Sequence, residues 1–454
     1  MVSNHNHGTI KVADMSSLNG KLPPPMKVGA SPEALRIAIV YSRHPLPMRR
    51  ADQMTVAHLI AFLKARGHSL DLYNVATGGN PDEIERNWLL DRCASIATFS
   101  YGLIDACRAA LLSLSGLPLQ VGLFSNGAQR RSLLSAVDAG QYDLIYTYYF
   151  RSAEISKEIA QASKANRPVT FLAMQLSQTL NTRRIAKNAP NIATRLFYSF
   201  ESKLVERYEA KIWRFFDRVV LIGKSDAEVI NETNRRLGGS ELNNIVFCAH
   251  GVDTDRFRPR RDLAEVPGKL VFSGVMRTPT NVQAVQWFVK KVWPLIRAQV
   301  PEATFDIVGR EPSPEVLALS TVPGVTVVGT VPDTSVPIAT ACVCINSMQA
   351  GGGMQNKLIE YLGSAKAVVA TSVANEGIGA RSGEHLLIAD TPEDFASEVV
   401  RLLLDAETRS KLGHAARQFI LDEWTWEAHF LKLEKAFYNA INERRTAAFN
   451  GEAQ

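Results

Sequence analysis

Apolar residues in this chain come in short blocks that alternate with amphipathic stretches. Residues 35–42 (LRIAIVYS) form a continuous apolar run, the pattern of a strand buried on both faces. A Pro-rich loop follows (RHPLPMRRADQ), then a helical pattern over residues 55–66 that Gly67 can close. Residues 69–75 (SLDLYNV) read as the next strand. This βαβ opening predicts a parallel sheet with helices on both faces. Further strands are expected at 119–124, 143–148, 168–173 and 218–222. A long helix is expected over 191–216, with Ile192, Leu196, Phe200, Leu204, Tyr208 and Ile212 at spacing four.

The texture changes over residues 249–269, which are polar, charged and rich in turn residues. Beyond them the alternation restarts. Strands are expected at 270–273, 304–308, 325–328, 342–346 and 367–371, with a helix over 281–299 and helices dominating from 392 to 441. The expected organisation is a disordered tail (1–34), a first α/β domain (35–262), a second (263–423), a helix (424–443) and a flexible tail (444–454). His5 and His7 lie in the first tail, where two histidines rarely make a metal site.

Composition narrows the class. The chain has 454 residues and 21% charged residues, which fits a folded protein of two or three domains. No apolar run reaches the roughly 20 residues of a spanning helix. The N-terminus lacks the pattern of a signal peptide. Five scattered cysteines make no disulfide framework or zinc spacing and read as reduced, mostly buried thiols. Residues 1–250 carry 30 Lys and Arg against 21 Asp and Glu, and the remainder 21 against 24. The first half is therefore basic. That fits an ordinary solvated surface, or an anionic ligand or membrane facing this half.

Several chemistries lose their support. No G-x-G-x-x-G follows the first strand, and there is no P-loop, H-E-x-x-H or G-x-S-x-G. Asp253-Thr254-Asp255 has a metal-binding spacing but sits in a turn-rich segment, where these side chains satisfy local backbone donors. No nucleic-acid module is present, and no nucleic-acid partner is expected.

The most informative segment is 349–378, QAGGGMQNKLIEYLGSAKAVVATSVANEGI. Gly351, Gly352 and Gly353 end a loop where a helix begins. Glycines let backbone approach a ligand, and a helix start offers free N–H groups to a phosphate. Met354, Leu358 and Leu362 make an apolar stripe, with Gly352, Asn356 and Glu360 roughly opposite. Lys357 adds a cation where the helix dipole disfavours one, which fits a bound anion better than it fits helix stability. The natural ligand is a nucleotide, its diphosphate at the helix start and Glu360 on a sugar hydroxyl pair.

These features together resemble GT-B glycosyltransferases of family 4 (group 1), in the variant with a G-G-G-x-x-x-K-x-x-E loop. The resemblance runs over nearly all of residues 35–443. It includes VAHLIAFLKARGHSLDLY, AHGVDTDRF at the hinge, FSGVMRTPTN opening the second domain, and DIVGREP with GVTVVGTVPD before the loop. It implies two Rossmann-like doubly wound domains facing a central cleft. It also implies a retaining transferase that moves a sugar from a nucleotide-sugar donor to a polysaccharide, lipid-linked or glycolipid acceptor in cell-surface glycan synthesis. In such enzymes Glu360 would hold the donor ribose, and Gly351, Gly352, Gly353, Asn356 and Lys357 would surround the diphosphate and sugar. Arg277 or Asn281 would add a phosphate contact, and Gly309, Gly329 and Val331 would flank the base. Lys357 and Arg277 are the expected catalytic groups. The nucleotide-sugar is a co-substrate, and neither a metal nor another cofactor is expected.

This sequence departs from the family pattern at three places. Gly352 stands where many members have a first glutamate, Tyr146 where many have an acceptor-side histidine, and Gln175 or Gln178 where an aspartate is usual. A nucleotide-sugar-binding module without transfer activity, or a nucleotide-sugar epimerase, is therefore the alternative. On the acceptor side, Arg49, Arg50 and Asp52 follow the first strand, and Arg151 and Arg183 follow others at the same edge, where open α/β sheets bind ligands. This basic rim suits a phosphate-linked acceptor. Residues 183–216 mix Arg and Lys with Phe197, Tyr198, Phe200, Trp213 and Phe215. That mixture fits a core helix, or peripheral contact with an anionic membrane at the inner face of the cytoplasmic membrane by an otherwise cytoplasmic protein.

Overall fold

The computed structural model describes residues 22–452, apart from 27, 78, 163–166, 188–191 and 351–353. Two parallel sheets organise these residues. The first holds β1 (Arg36–Tyr41), β2 (Ser69–Val75), β3 (Ser95–Phe99), β4 (Leu144–Tyr148), β5 (Val169–Gln175), β6 (Arg218–Leu221) and β7 (Ile245–Phe247), in the order 3-2-1-4-5-6-7. The second holds β8 (Lys269–Ser273), β9 (Thr304–Val308), β10 (Val325–Gly329), β11 (Val343–Asn346), β12 (Ala367–Ala370) and β13 (Leu387–Ile388), in the order 10-9-8-11-12-13. Helices cover both sheets, so strands such as β1, β4 and β11 bury nearly every side chain. The fold is a pair of Rossmann-like α/β domains.

Strand order reverses between β1 and β4, and again between β8 and β11. Just outside the C-terminal ends of such strand pairs lies the crevice where open α/β sheets take ligands. Each domain therefore has one preferred ligand edge.

Four expectations need correction. Residues 119–124 are a helix (Leu119–Phe124), not a strand. Its first two free N–H groups, on Leu119 and Gln120, donate to the Glu201 carboxylate at 3.0 and 3.1 Å. The third strand position belongs instead to β3, whose residues are only partly buried. Residues 22–34 of the expected tail are not free of the core. Leu22, Met26 and Val28 pack against the first domain, and the Ser31 N–H donates to the Arg66 carbonyl at 2.8 Å. The 191–216 helix runs Ile192–Ile212, and its apolar stripe is buried only in the second half. The expected final tail continues a helix, Trp426–Glu452.

That last helix lies on the first domain. Phe430, Leu433, Phe437 and Ile441 join the core around β1, β4 and β5, with the Phe437 ring 4.8 Å from Phe171 and 5.7 Å from Tyr146. Glu434 is nearly buried and takes hydrogen bonds from Arg66 at 2.9 Å and His68 at 2.8 Å. Two chain segments pass between the domains, and they touch. The Val252 N–H donates to the Trp424 carbonyl at 2.9 Å, and Val252 bridges Thr425. Gly251 lies so close that a Cβ there would sit 2.3 Å from the Trp426 nitrogen.

Candidate functional site at the two sheet edges

The ligand edge of the second sheet is built by close backbone approach. Gly274 follows β8 and Gly309 follows β9. Gly309 has φ +149°, and a Cβ there would fall 1.6 Å from the Gly274 carbonyl oxygen. Only glycine fits such a contact. The Gly309 N–H donates to the Gly329 carbonyl at 2.8 Å, so β8, β9 and β10 end in closely packed glycine backbone, with the Asn281 side chain against Gly274. Val331 beyond it is half-buried against the core.

The helix Asn356–Gly363 stands after β11, at the point where strand order reverses. Leu358 and Leu362 are fully buried, and Met354 packs against the same core. Tyr361 fastens the helix to β8, its hydroxyl accepting from the Ser273 N–H at 2.6 Å. Asn356 is exposed and Glu360 half-buried on another face. Gly351, Gly352 and Gly353 lie outside the described residues.

Lys357 is buried beside neutral groups. Its Nζ donates to Asn281 Oδ1 at 2.5 Å, lies 3.8 Å from Met348 Sδ and sits 4.5 Å from the Phe272 ring centre. Among the described residues no carboxylate pairs with it. Burial pulls its pKa down to about 7, against the opposing pull of Glu360. Glu360 has no hydrogen-bond or ion-pair partner among the described residues, and burial pushes it up to about 7, with Arg256 and Lys357 holding it back. An unpaired lysine and an unpaired carboxyl side by side cost stability. Strongly shifted titratable groups of this kind cluster at ligand sites. Asn281 is nearly buried, its Nδ2 donating to the Val275 carbonyl at 3.0 Å. Arg277 points elsewhere. It is mostly exposed and pairs with Glu311 at 2.6 Å. Arg256, which sequence reading passed over, lies near Glu360 and pairs with Asp333 at 3.1 Å. Asp253 caps its own turn, accepting from the N–H groups of Asp255 and Arg256 at 3.1 and 3.0 Å.

The ligand edge of the first sheet gathers a different set. Arg43, two residues past β1, is nearly buried and pairs with Asp52, which also accepts from the Tyr41 hydroxyl at 2.9 Å. Arg151, in the turn after β4, lies over the rings of Phe124 at 4.5 Å and Tyr149 at 4.7 Å. Arg49 and Arg50 are exposed beside this edge. Arg183 pairs with Glu206 at 2.9 Å on the neighbouring helix. Tyr146 is a core residue of β4. Tyr149, just past β4, and Gln175, the last residue of β5, have φ of +76° and +71°, a conformation that is costly for such side chains and recurs at functional sites. Gln178 begins the next helix, where the buried Glu209 accepts its N–H at 2.6 Å.

The helix Ile192–Ile212 has two characters. Leu204, Tyr208 and Ile212 are buried, whereas Ile192, Leu196, Phe197 and Phe200 are exposed, as is Arg195 among them. The core reading holds for one half only. No helix among the described residues is long and apolar enough to cross a membrane.

Residues 267–405 match the family described as glycosyl transferases group 1. The second domain is a group 1 glycosyltransferase domain. A Klebsiella pneumoniae protein described as an uncharacterized 44.6 kDa protein in the cps region is 21% identical over 409 residues, spanning 88% of this chain and 99% of that one. Solved structures of similar fold include a Rickettsia africae glycosyltransferase (TM-score 0.58, 12% identity, 90% of this chain and 99% of that one). They include sucrose-phosphate synthase from Thermosynechococcus elongatus (0.56, 19%, 90% and 100%) and Anabaena HepE in complex with UDP (0.54, 12%, 89% and 100%). These likenesses place the group 1 domain and the domain before it in the GT-B fold.

Proposed function

We propose that this protein is a retaining glycosyltransferase that moves a sugar from a nucleotide-sugar to a polysaccharide, lipid-linked or glycolipid acceptor in cell-surface glycan synthesis. The observation that carries the reading is the unpaired Lys357 and Glu360 on one helix, at the point where strand order reverses in a group 1 domain. The relative from a cps region and the fold shared with a UDP complex support it. Glu360 accepts from the donor ribose. Lys357 and the first N–H groups of its helix hold the diphosphate. The bond from the anomeric carbon to the diphosphate oxygen breaks while the acceptor oxygen bonds to the same face of that carbon, and the acceptor proton passes to the departing diphosphate. The protein's part is to stabilise charge on the leaving group. Lys357 supplies that charge, and Arg277 would have to turn from Glu311 to join it.

A thermal-shift series with UDP, GDP, ADP and CMP, with and without Mg²⁺, tests the donor site. At about 100 times its Kd a ligand adds about 2.7 kcal/mol to stability. One nucleoside diphosphate is expected to raise Tm independently of Mg²⁺, and Glu360→Ala to remove the effect. No shift with any nucleotide would overturn the reading.

The exposed stripe Ile192, Leu196, Phe197 and Phe200, with Arg195 beside it, fits an anionic lipid surface, apolar side in and guanidinium at the headgroups. The protein is expected to float with phosphatidylglycerol vesicles at low salt, and a Leu196→Ser/Phe200→Ser variant to stay at the bottom of the gradient. Equal flotation of both would remove the stripe from this role.

A further inference from the structure

The first sheet has its own reversal point, between β1 and β4, and two arginines stand there. Arg43 is matched by Asp52. Arg151 is not matched. No hydrogen bond or ion pair reaches its guanidinium among the described residues, and its buried Nε has no partner. Two aromatic rings hold it in place and satisfy none of its N–H groups. Burial opposes its charge most and Arg43 opposes it further, with Tyr149, Asp52 and Tyr41 only partly offsetting them. Two more donors at this edge lack partners. Ser42 follows β1 and Ser152 follows Arg151, both are almost fully buried, and neither hydroxyl is hydrogen-bonded. Gln175, ending the neighbouring β5, adds a buried side-chain oxygen without a partner. Buried polar groups are paired in nearly all folded proteins. So many orphans at one strand edge, around a surplus positive charge, describe a site waiting for its ligand.

Resting on the transferase reading, we propose that Arg151, at the strand edge that also carries Arg43, Ser42 and Ser152, binds an oxyanion carried by the acceptor. A guanidinium presents parallel N–H groups that match two oxygens of a phosphate or a carboxylate. Asp52 favours the Arg151 charge from a distance but makes its direct contacts with Arg43 and Tyr41, and the oxyanion would supply the bonded negative partner that Arg151 lacks. An acceptor of this kind is a phosphate-linked lipid or an acidic sugar, and a neutral glycan would leave the guanidinium without a charged partner.

The test uses calorimetry on the full-length protein carrying Lys357→Ala, so that the diphosphate site of the second domain contributes little. The probes are methyl phosphate, glucuronate and, as a neutral control, methyl glucoside. At least one anion is expected to bind and the control not to. Whichever anion binds tells a phosphate-linked acceptor from a uronic acid. Adding Arg151→Met is expected to weaken the bound anion at least about tenfold, with Tm unchanged or raised because an uncompensated charge leaves the interior. Should the Met variant fail to fold, Arg151→Lys takes its place. An ammonium cannot make the parallel pair of bonds, so a weakening of about threefold or more is expected. Binding of neither anion, equal binding of the neutral control, or an unchanged Kd in the Arg151 variant would overturn the proposal. None of these readouts involves a nucleotide or turnover, so they fail separately from the transferase reading.

Discussion

Lys357→Met is expected to lower turnover by about 10²–10³-fold, the scale of a lost charge donor to a developing oxyanion, and to leave the fold intact or firmer. The lysine's Nζ meets an amide oxygen, a thioether and an aromatic ring, and no carboxylate among the described residues. Its burial is a cost to the folded state that these contacts and the nearby Glu360 offset only in part. The cost has a pH signature. The folded-state pKa lies near 7 against an ordinary 10.5, so between those values the unfolded chain holds a proton that the folded chain lacks. Stability from this group therefore rises with pH across that window, and the Met variant lacks the rise. Donor binding runs the other way. A diphosphate needs the protonated amine, so its affinity is expected to fall as pH climbs past about 7 in the native protein and to change less in the variant. Titration calorimetry with the matching nucleoside diphosphate across about pH 6 to 9 reads the affinity, and denaturant unfolding over the same range reads the stability. A variant with native turnover would remove Lys357 from the mechanism.

The largest effect on stability is expected from the last helix. Ending the chain at Glu423 removes Phe430, Leu433, Phe437 and Ile441 from the core of the first domain. Each such side chain is worth about 1.5–3 kcal/mol of burial, and together they approach the whole stability of a typical domain, about 5–15 kcal/mol. The shortened chain is expected to be insoluble or unfolded in its first half, as read by circular dichroism and proteolysis. The milder Phe437→Ala leaves a cavity between Phe171 and Tyr146 and should cost about 3–5 kcal/mol in denaturant unfolding. A loss under about 1 kcal/mol would mean that the site collapses around the gap.

The sequence was most legible where local pattern and final environment agree. The continuous apolar runs of β1, β4 and β11 became central strands. The two stripes of the Asn356–Gly363 helix separated as their spacing requires, Leu358 and Leu362 into the core and Asn356 and Glu360 away from it. What stayed illegible depends on partners far along the chain. Residues 119–124 have the composition of a strand but fold as a helix whose free N–H groups are held by Glu201, about eighty residues later. The strand β3 is only half-buried at the sheet edge and so lacks a clear apolar alternation. Arg43 gains meaning only from Asp52 across the loop and Arg151 across the sheet, and no spacing rule signals either. The Ile192–Ile212 helix carries one regular stripe, yet only its second half meets a core, because periodicity reports an amphipathic face and not what covers it.

The paired crossings at Val252 and Thr425 set the chain's modular logic. Because Trp426–Glu452 returns to the first domain, residues 253–424 are an insertion within it, entering and leaving at a single β-bridge. Strands joined by such a bridge run roughly 5 Å apart. A short linker across that gap would therefore close the first domain on itself, and the excised segment would have ends already adjacent. The first domain and the segment inserted in it are separable by two cuts at one place, so each could be exchanged or redesigned without threading a new connection through the other.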